Sequence, residues 1–388
     1  MWLARRFALP QFVPERDVDG DASSLAARVQ LGWMFRRFLA KEQAMGTRLP
    51  VFVGIDYADQ VSQVVVLDGD GKELGSRRLA SETERIVAYA ERFGPLGGAA
   101  IEAGCGAATL ADDLIQQHHW PLQLAHPGYV RRMKQNPDKT DYSDAKILAD
   151  LRRVDYLPGV WLAPPAVREL RRVTRARQAL VEEARRVKLR VRALLRDHRI
   201  GRPETVRRVW TQRGVRWLTE LTSDVRLPRD SQWLLQQHLD HLRYLAGSIA
   251  AGEKRLEEMT VSDPLVQRLL EQVGIGLITA CVLRAEIGQF ERFGSGKPLA
   301  HYCGVSPQNA SSGQRQADAG LVRGGNRQLK LALIELAHRL KRYDDRWRTL
   351  SDRLASAGKP RCVIVAAVAN RWVRQLYYQL RSVPAAAA

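Results

Sequence analysis

Four acids are spaced along the first half of the chain as carboxylate chemistry would use them. Asp56 ends the apolar run VFVGID, Glu102 lies inside GAAIEAG, and Asp141 and Asp144 fall in KTDYSDAKILA. Two acids three residues apart share one face at a helix start, and strand ends on a common sheet edge can bring two more beside them. Four carboxylates so gathered suit hard divalent cations, Mg²⁺ first and Mn²⁺ as an alternative, which clamp the attacking and leaving oxygens of a phosphodiester during in-line displacement. Singly, each acid has a plainer reading: Asp56 as a turn residue, Glu102 as a surface acid, Asp141 as a helix N-cap, Asp144 as a first-turn acid favoured by the helix dipole. Glu102 in an apolar strand, where an unpaired charge is costly, favours the joint reading.

The elements that would position these acids follow from periodicity. VFVGID reads as a buried strand, QVSQVVVLD as a second, and the turn DGDG leads into KELGSRRL as a third, a β-meander starting at Val51. A helix from Glu82 to Phe93, the strand GAAIEAG, a helix from Ala107 to His119, the strand PLQLAHP and a helix through SDAKILADLRRV follow. Three hairpin strands and then alternating helix and strand describe an RNase H-like α/β domain, placed at 47–163. Residues 1–46 precede it as an extension with one amphipathic stretch, Leu25 to Leu39, and no assigned role.

Pro164 and Pro165 open an arginine-rich coiled-coil region, 164–260. Val173, Leu180, Val187 and Leu194 recur every seven residues with Leu170, Ala184 and Val191 beside them. A second seam runs through Leu235, Leu242, Ile249 and Leu256 with Leu239 and Ala246. Such seams pair within a chain, as core helices of a bundle, or between copies; a homo-oligomer, dimer or tetramer, is expected. The segment 261–388 forms a mostly helical C-terminal domain. In it Gly274 and Gly276 separate two helical stretches, a hairpin that can offer backbone N–H groups to a phosphate, with a plain helix–turn–helix core as the alternative. HYCGVSPQNASSGQRQ begins a loop that opens into a helix, and an apolar helix from Val363 to Leu380 closes the domain. The whole reads as α/β followed by α.

Bulk properties narrow the partners. With 45% hydrophobic and 27% charged residues and no apolar run approaching the roughly 18 residues of a membrane span, the chain reads as a multi-domain protein of the cytoplasm, associated with the nucleoid rather than a membrane. The opening MWLARRF lacks the apolar core of a secretory signal. Cysteines at 105, 281, 303 and 362 form no zinc-knuckle spacing and read as structural thiols. A net charge of +19 points to a polyanion, since neutralised phosphates release counterions. That charge is unevenly placed: residues 46–160 carry 13 Lys and Arg against 16 Asp and Glu, whereas residues 166–226 carry 18 against 7. Arg185, Arg186, Lys188 and Arg192 are candidate nucleic-acid contacts there, with a merely solvated basic face as the plainer alternative.

Taken in order, VGIDYAD, AIEAGCG, KTDYSDAKILA, VGIGLITACVLRAEIG, GVSPQNASSG and GGNRQLK resemble the insertion-sequence one-ten family of DEDD transposases, over about residues 51–385. The resemblance implies a RuvC-like catalytic domain, a coiled coil, and a C-terminal transposase domain whose serine joins the carboxylates in a composite site. Carried over by motif, Asp56, Glu102, Asp141 and Asp144 match the metal-holding quartet and Ser312 the nucleophile, with Ser311 as its alternative. A serine hydroxyl is a weak nucleophile at its free pKa, so cations must assist it, and Arg315, Arg323, Arg327 and Lys330 are the candidates. The implied activity is recombination of donor and target DNA through a serine–DNA intermediate, guided by a bridge RNA. One departure is Arg323-Gly324-Gly325, where the family commonly has lysine: the charge is kept, but arginine does not donate a proton as lysine does. The residues by themselves also admit a RuvC-like nuclease with water as nucleophile, a non-catalytic nucleic-acid scaffold, or an actin-like ATPase, the last leaving KTDYSD unexplained.

Overall fold

The structure, a computed structural model, describes residues 49–133, 140–309 and 318–382 and divides into two compact units between Leu162 and Ala163. The amphipathic stretch Leu25 to Leu39 lies outside the described residues.

In the first unit, β1 (Val51–Asp56), β2 (Val61–Leu67) and β3 (Glu73–Ala80) form an antiparallel meander. Asp68 closes its second turn by accepting the backbone N–H groups of Asp70 and Lys72 at 3.0 and 2.8 Å, with Gly71 at φ 87°. Next come α1 (Thr83–Ala90), β4 (Leu96–Glu102), α2 (Ala107–Gln116), β5 (Leu122–Ala125), α3 (Pro127–Met133), α4 (Asp141–Arg153) and β6 (Gly159–Val160). The sheet order is β3-β2-β1-β4-β5-β6, with β1, β4 and β5 parallel and β6 antiparallel to β5. Both faces are covered. Val53, Ile55, Val64 and Ile101 pack with Ile86 of α1 and Leu110 of α2, and on the other side Val65 and Leu67 pack with Ala145 and Ala149 of α4. That two-sided burial is why β1 reads as an unbroken apolar run. Sequence periodicity missed α3 and β6, which are too short to show a period. The helix expected to reach His119 stops at Gln116, and His119 turns left-handed at φ 56°.

The second unit is mostly helical. Its α5 (Pro165–Asp197) and α7 (Arg229–Thr260) are long helices linked through α6 (Gln212–Glu220). They lie antiparallel and pack on each other: Leu170 meets Leu256, Ala184 and Val187 meet Leu245, and Val191 and Leu195 meet Leu235 and Leu239. The sequence left the partner of each seam open, and here each helix is the other's. The buried stripe differs from the heptads in detail: Val173, Leu180 and Leu194 are only half-buried, and Leu245 rather than Ala246 faces inward. An α-helix at 3.6 residues per turn drifts off a strict seven-residue repeat, and Ala246 falls on the solvent side. The remaining elements are α8 (Pro264–Leu270), α9 (Leu277–Ile287), α10 (Gly296–Tyr302), β7 (Pro307–Asn309), β8 (Asp318–Leu321), α11 (Arg327–Tyr343), α12 (Asp345–Ser356) and α13 (Arg361–Leu380). They enclose a core that includes Phe290, Leu333, Leu336, Trp372 and Tyr377. Among the described residues no helix is long and apolar enough to cross a membrane.

Candidate active site

β1 and β4 run parallel with Ile55 beside Ile101, so Asp56 and Glu102, each the last residue of its strand, stand as neighbours at one sheet edge. Alternation gives them one face. Ile55 and Ile101 point into the core of α1 and α2, whereas Gly54 and Ala100 point to α4, and Asp56 and Glu102 follow Gly54 and Ala100 by two.

Gly54 brings α4 onto that face. A Cβ at Gly54 would stand 1.9 Å from the Ala145 carbonyl oxygen and 2.6 Å from Ala149 N, so helix backbone rests directly on strand backbone. At the far end of the helix, Arg152 covers Gly98 and Arg153 donates to the Gly69 carbonyl at 3.1 Å, in the β2–β3 turn. The helix therefore runs against β1, and its first turn arrives where Asp56 ends the strand. Asp144 is 7% exposed and faces the sheet. Asp141, whose side chain is 64% exposed, leans outward to Arg78 of β3 at 3.8 Å. Asp56, Glu102 and Asp144 are thus brought to one face of one edge, and Asp141 stands at its rim.

The cap of α4 is Thr140, not Asp141. Thr140 Oγ1 accepts from Ser143 N at 3.1 Å and Ser143 Oγ accepts from Thr140 N at 3.3 Å, a reciprocal capping box that relieves both aspartates of that duty. The first turn is also tied to β3: Tyr142 donates to Glu73 at 2.5 Å and Lys146 to the same carboxylate oxygen at 3.2 Å. The Tyr142 hydrogen bond, with Lys146, holds Glu73 below the usual carboxylate range, and Tyr142 with Glu73 raises Lys146. Gln63 and Arg78 continue the cross-strand row from Asp56, a placement that only the register reveals. Gln63 is 7% exposed and donates to Ser76 at 2.8 Å. Gly106, left-handed at the N-cap of α2, leaves room for Tyr57, so the segments carrying Asp56 and Glu102 pack on each other. Among the described residues no three Asp, Glu, His or Cys side chains stand close enough to hold a metal ion. The donor set is nonetheless all oxygen, the kind that suits a hard divalent cation.

In the second unit, Ser311, Ser312 and Arg315 lie outside the described residues; 310–317 join β7 to β8, whose ladder pairs Asn309 with Asp318 and Pro307 with Leu321. This hairpin replaces the plain loop expected from sequence, its strands too short to show alternation. At its base Gly325 lies against Gly304, where a Cβ would stand 2.3 Å from the Gly304 Cα. Asn326 caps α11 through Oδ1, which accepts from Gln328 N and Leu329 N, and donates through Nδ2 to Glu286 at 2.7 Å. Glu286 is 1% exposed, takes a two-pronged ion pair from Arg175 at 2.7 and 2.9 Å, and lies 3.7 Å from Arg171. Two helices and the hairpin base are joined through one carboxylate, which sequence reading overlooked; a glutamate in the apolar run LITACVLRAEIG was the available signal.

Of the remaining candidates, Arg323 is exposed, Arg327 lies 3.9 Å from Glu182, and Lys330 reaches the Val322 carbonyl at 3.5 Å. Gly274, at φ 79°, is turned into the protein, its carbonyl accepting from Arg339 at 2.8 Å, whereas Gly276 opens to space at the start of α9. Arg185, Arg186 and Arg192 are exposed along α5, and Lys188 lies 5.5 Å over the Trp210 ring. Cys281 and Cys303 are buried, and burial pushes both thiols up, as suits packing rather than chemistry.

The chain is similar to known proteins over most of its length. The DEDD transposase family of IS110 matches residues 53–200, and the family described as "Transposase IS116/IS110/IS902 family" matches residues 266–352. A "Probable family 20 transposase" of Pseudomonas aeruginosa is 28% identical over 342 residues, covering 84% of this chain and 95% of that protein. The "Insertion element IS110 uncharacterized 43.6 kDa protein" of Streptomyces coelicolor is 26% identical, covering 85% of this chain and 94% of its own length. The "Transposase for insertion sequence element IS1328" of Yersinia enterocolitica is 26% identical over 66% of this chain and 73% of its own. With the first match spanning every one of the four acids and the second reaching from the Gly274–Gly276 hairpin into α12, the chain belongs to the IS110 family of insertion-sequence transposases.

Proposed function

We propose that this transposase cuts and rejoins DNA by two successive phosphoryl transfers through a serine ester, with an RNase H-like first unit supplying carboxylates and the β7–β8 segment supplying Ser312. The observation that carries the reading is the pairing of the strand ends Asp56 and Glu102 at one sheet edge, with Gly54 seating on the same face the helix whose first turn carries buried Asp144. The sheet order, with a three-stranded antiparallel meander continued by parallel β4 and β5, supports the RNase H-like assignment. Asp56, Glu102, Asp141 and Asp144 would hold Mg²⁺ or Mn²⁺, which when bound offsets the charge of a phosphate and favours its attack.

The Ser312 oxygen attacks phosphorus, a phosphoserine ester forms as one phosphodiester P–O bond breaks, and the departing deoxyribose oxygen takes up a proton. A hydroxyl of a second strand then attacks the ester and returns the serine. One phosphodiester is made for each one broken, so no external energy source is needed. Arg315, Arg323, Arg327 and Lys330 follow the serine in sequence and supply the cations that a pentacoordinate phosphate requires. Arg185, Arg186, Lys188 and Arg192 of α5, with the open backbone at Gly276, serve strand capture. Sequence choice falls to a guide RNA, and a dimer or tetramer brings donor and target strands together.

The test is a cleavage assay with donor and target DNA, Mg²⁺ and the RNA transcribed beside the element. Wild-type protein yields a denaturation-resistant protein–DNA adduct mapping to Ser312, Ser312→Ala yields neither adduct nor joined product, and Asp144→Asn reduces cleavage by at least about a hundredfold, as loss of an essential charge-stabilising group does. Cleavage retained by Ser312→Ala without an adduct would replace the serine with water.

A further inference from the structure

A cleft of about 540 Å³ lies between α12 and α13, lined by Arg346, Trp347, Leu350, Arg371, Arg374 and Gln375 with Tyr378. Neither the carboxylate edge nor the β7–β8 segment contributes to it. Its chemistry is lopsided: three guanidinium groups and no carboxylate line it, and none of the three arginines is in an ion pair among the described residues. The nearby acid Asp345 is engaged by Arg348 at 3.0 Å. Arg371, Arg374, Gln375 and Tyr378 recur at the three- and four-residue spacing that puts them on one face of α13. Trp347 is 5% exposed and forms the apolar side, whereas Tyr378 is 58% exposed, with the Arg381 guanidinium 5.6 Å from its ring. Gln375 Oε1 is buried and finds no donor among the described residues.

We infer that this cleft is a binding site for a single polynucleotide strand, with Arg346, Arg371 and Arg374 on the phosphates and an unpaired base stacked on Tyr378. The volume falls in the roughly 300–1,000 Å³ of sites that enclose a ligand of nucleotide size. An exposed aromatic ring beside unpaired guanidiniums is the pairing that single strands use, because every base has a face to stack and every linkage a charge to neutralise. A duplex keeps its base faces covered and would use the arginines alone. The inference rests on the reading of the chain as a handler of DNA strands but not on its carboxylate chemistry.

The test is anisotropy of the full chain with a labelled hexanucleotide, as DNA in one arm and RNA in the other, against a labelled hairpin duplex. Tyr378→Ala is expected to weaken single-strand binding about tenfold, Tyr378→Phe to restore it, and duplex binding to stay unchanged. Arg371→Gln with Arg374→Gln should weaken the strand and lower its salt dependence by one to two in slope, about 0.7 for each phosphate left without its cation. A loss in either single-strand arm with duplex binding unchanged supports the site, and the stronger arm identifies its strand. Tyr378→Ala binding both single strands as wild type does, or losing duplex and single strand alike, overturns it. Asp144→Asn serves as the control: it should bind the strand normally while failing to cleave, so failure of the cleft and failure of the catalytic reading give different results.

Discussion

Gly54 shows how a residue with no side chain decides what three others do. The 1.9 Å that would separate its Cβ from the Ala145 carbonyl leaves no room for a methyl group, and both neighbouring atoms are backbone, which cannot swing aside. Gly54→Ala should therefore push α4 off β1, cost about 3 kcal/mol as overpacking of a tight contact does, and carry Asp144 away from Asp56 and Glu102. Chemical denaturation would register the lower stability, and DNA cleavage should fall further than the folded fraction does. Equal stability and activity in the alanine variant would mean that the helix does not sit where we place it. The four acids stand out in the sequence because a carboxylate in an apolar strand is costly where it does nothing, and because Asp141 and Asp144 fall three apart at a helix start. What could not be read was their inequality: Asp144 is buried and Asp141 exposed. An i, i+3 spacing puts two residues on neighbouring lines of a helix, and only the angle at which the helix meets the sheet decides which one turns inward. Thr140, whose side chain closes the capping box, was equally available, yet the adjacent Asp141 drew the capping role in its place.

At the scale of elements, α4 is clamped at both ends, by Glu73 with Tyr142 and Lys146 at its start and by Arg153 on the Gly69 carbonyl at its end. The first clamp depends on pH. Glu73 is held below its ordinary range, chiefly by the Tyr142 hydrogen bond, so its contribution is present above the unfolded carboxylate pKa and is lost as pH falls through the lowered folded value. Lys146 is raised, so its contribution is present below its unfolded pKa and lost as pH climbs through the raised one. Thermal unfolding between about pH 6 and pH 3 should show wild type losing more stability on acidification than Glu73→Gln, because the variant has no carboxylate there to protonate. Parallel curves would remove Glu73 from the clamp. The long elements were readable because periodicity needs length: the meander, α5 and α7 all emerge from the sequence. β6, with two residues, and β7, with three, carry no period at all, and each is a strand only through its partner, β5 for the first and β8 for the second. The heptads in α5 identified a packed helix correctly but offset its buried line, since apolar residues on the margin of a stripe count as much in the sequence as those at its centre.

Over the whole molecule, the division of charge seen in the sequence follows the division into two units. The carboxylate edge belongs to the first unit, whereas the exposed Arg185, Arg186 and Arg192 lie along α5 in the second, where residues 166–226 hold 18 basic against 7 acidic side chains. Several cations of that segment are spent on structure: Arg175 on the buried Glu286, Arg177 on Glu253, and Arg226 on Asp224, which it draws down to about 2. Arg185, Arg186 and Arg192, by contrast, show no ion pair among the described residues, which leaves them available to a polyanion under the proposed function. Each cation that neutralises a duplex phosphate adds about 0.9 to the slope of log affinity against log salt. Replacing Arg185, Arg186 and Arg192 together by alanine should therefore lower that slope for duplex DNA by about two to three, with the same loss on unrelated sequences, because phosphate contacts carry no sequence information. Titrations over several salt concentrations would measure it. An unchanged slope would make the face of α5 merely solvated, and a loss confined to one sequence would mean that these arginines read bases, a role for which an exposed helical row without a docked groove gives no support.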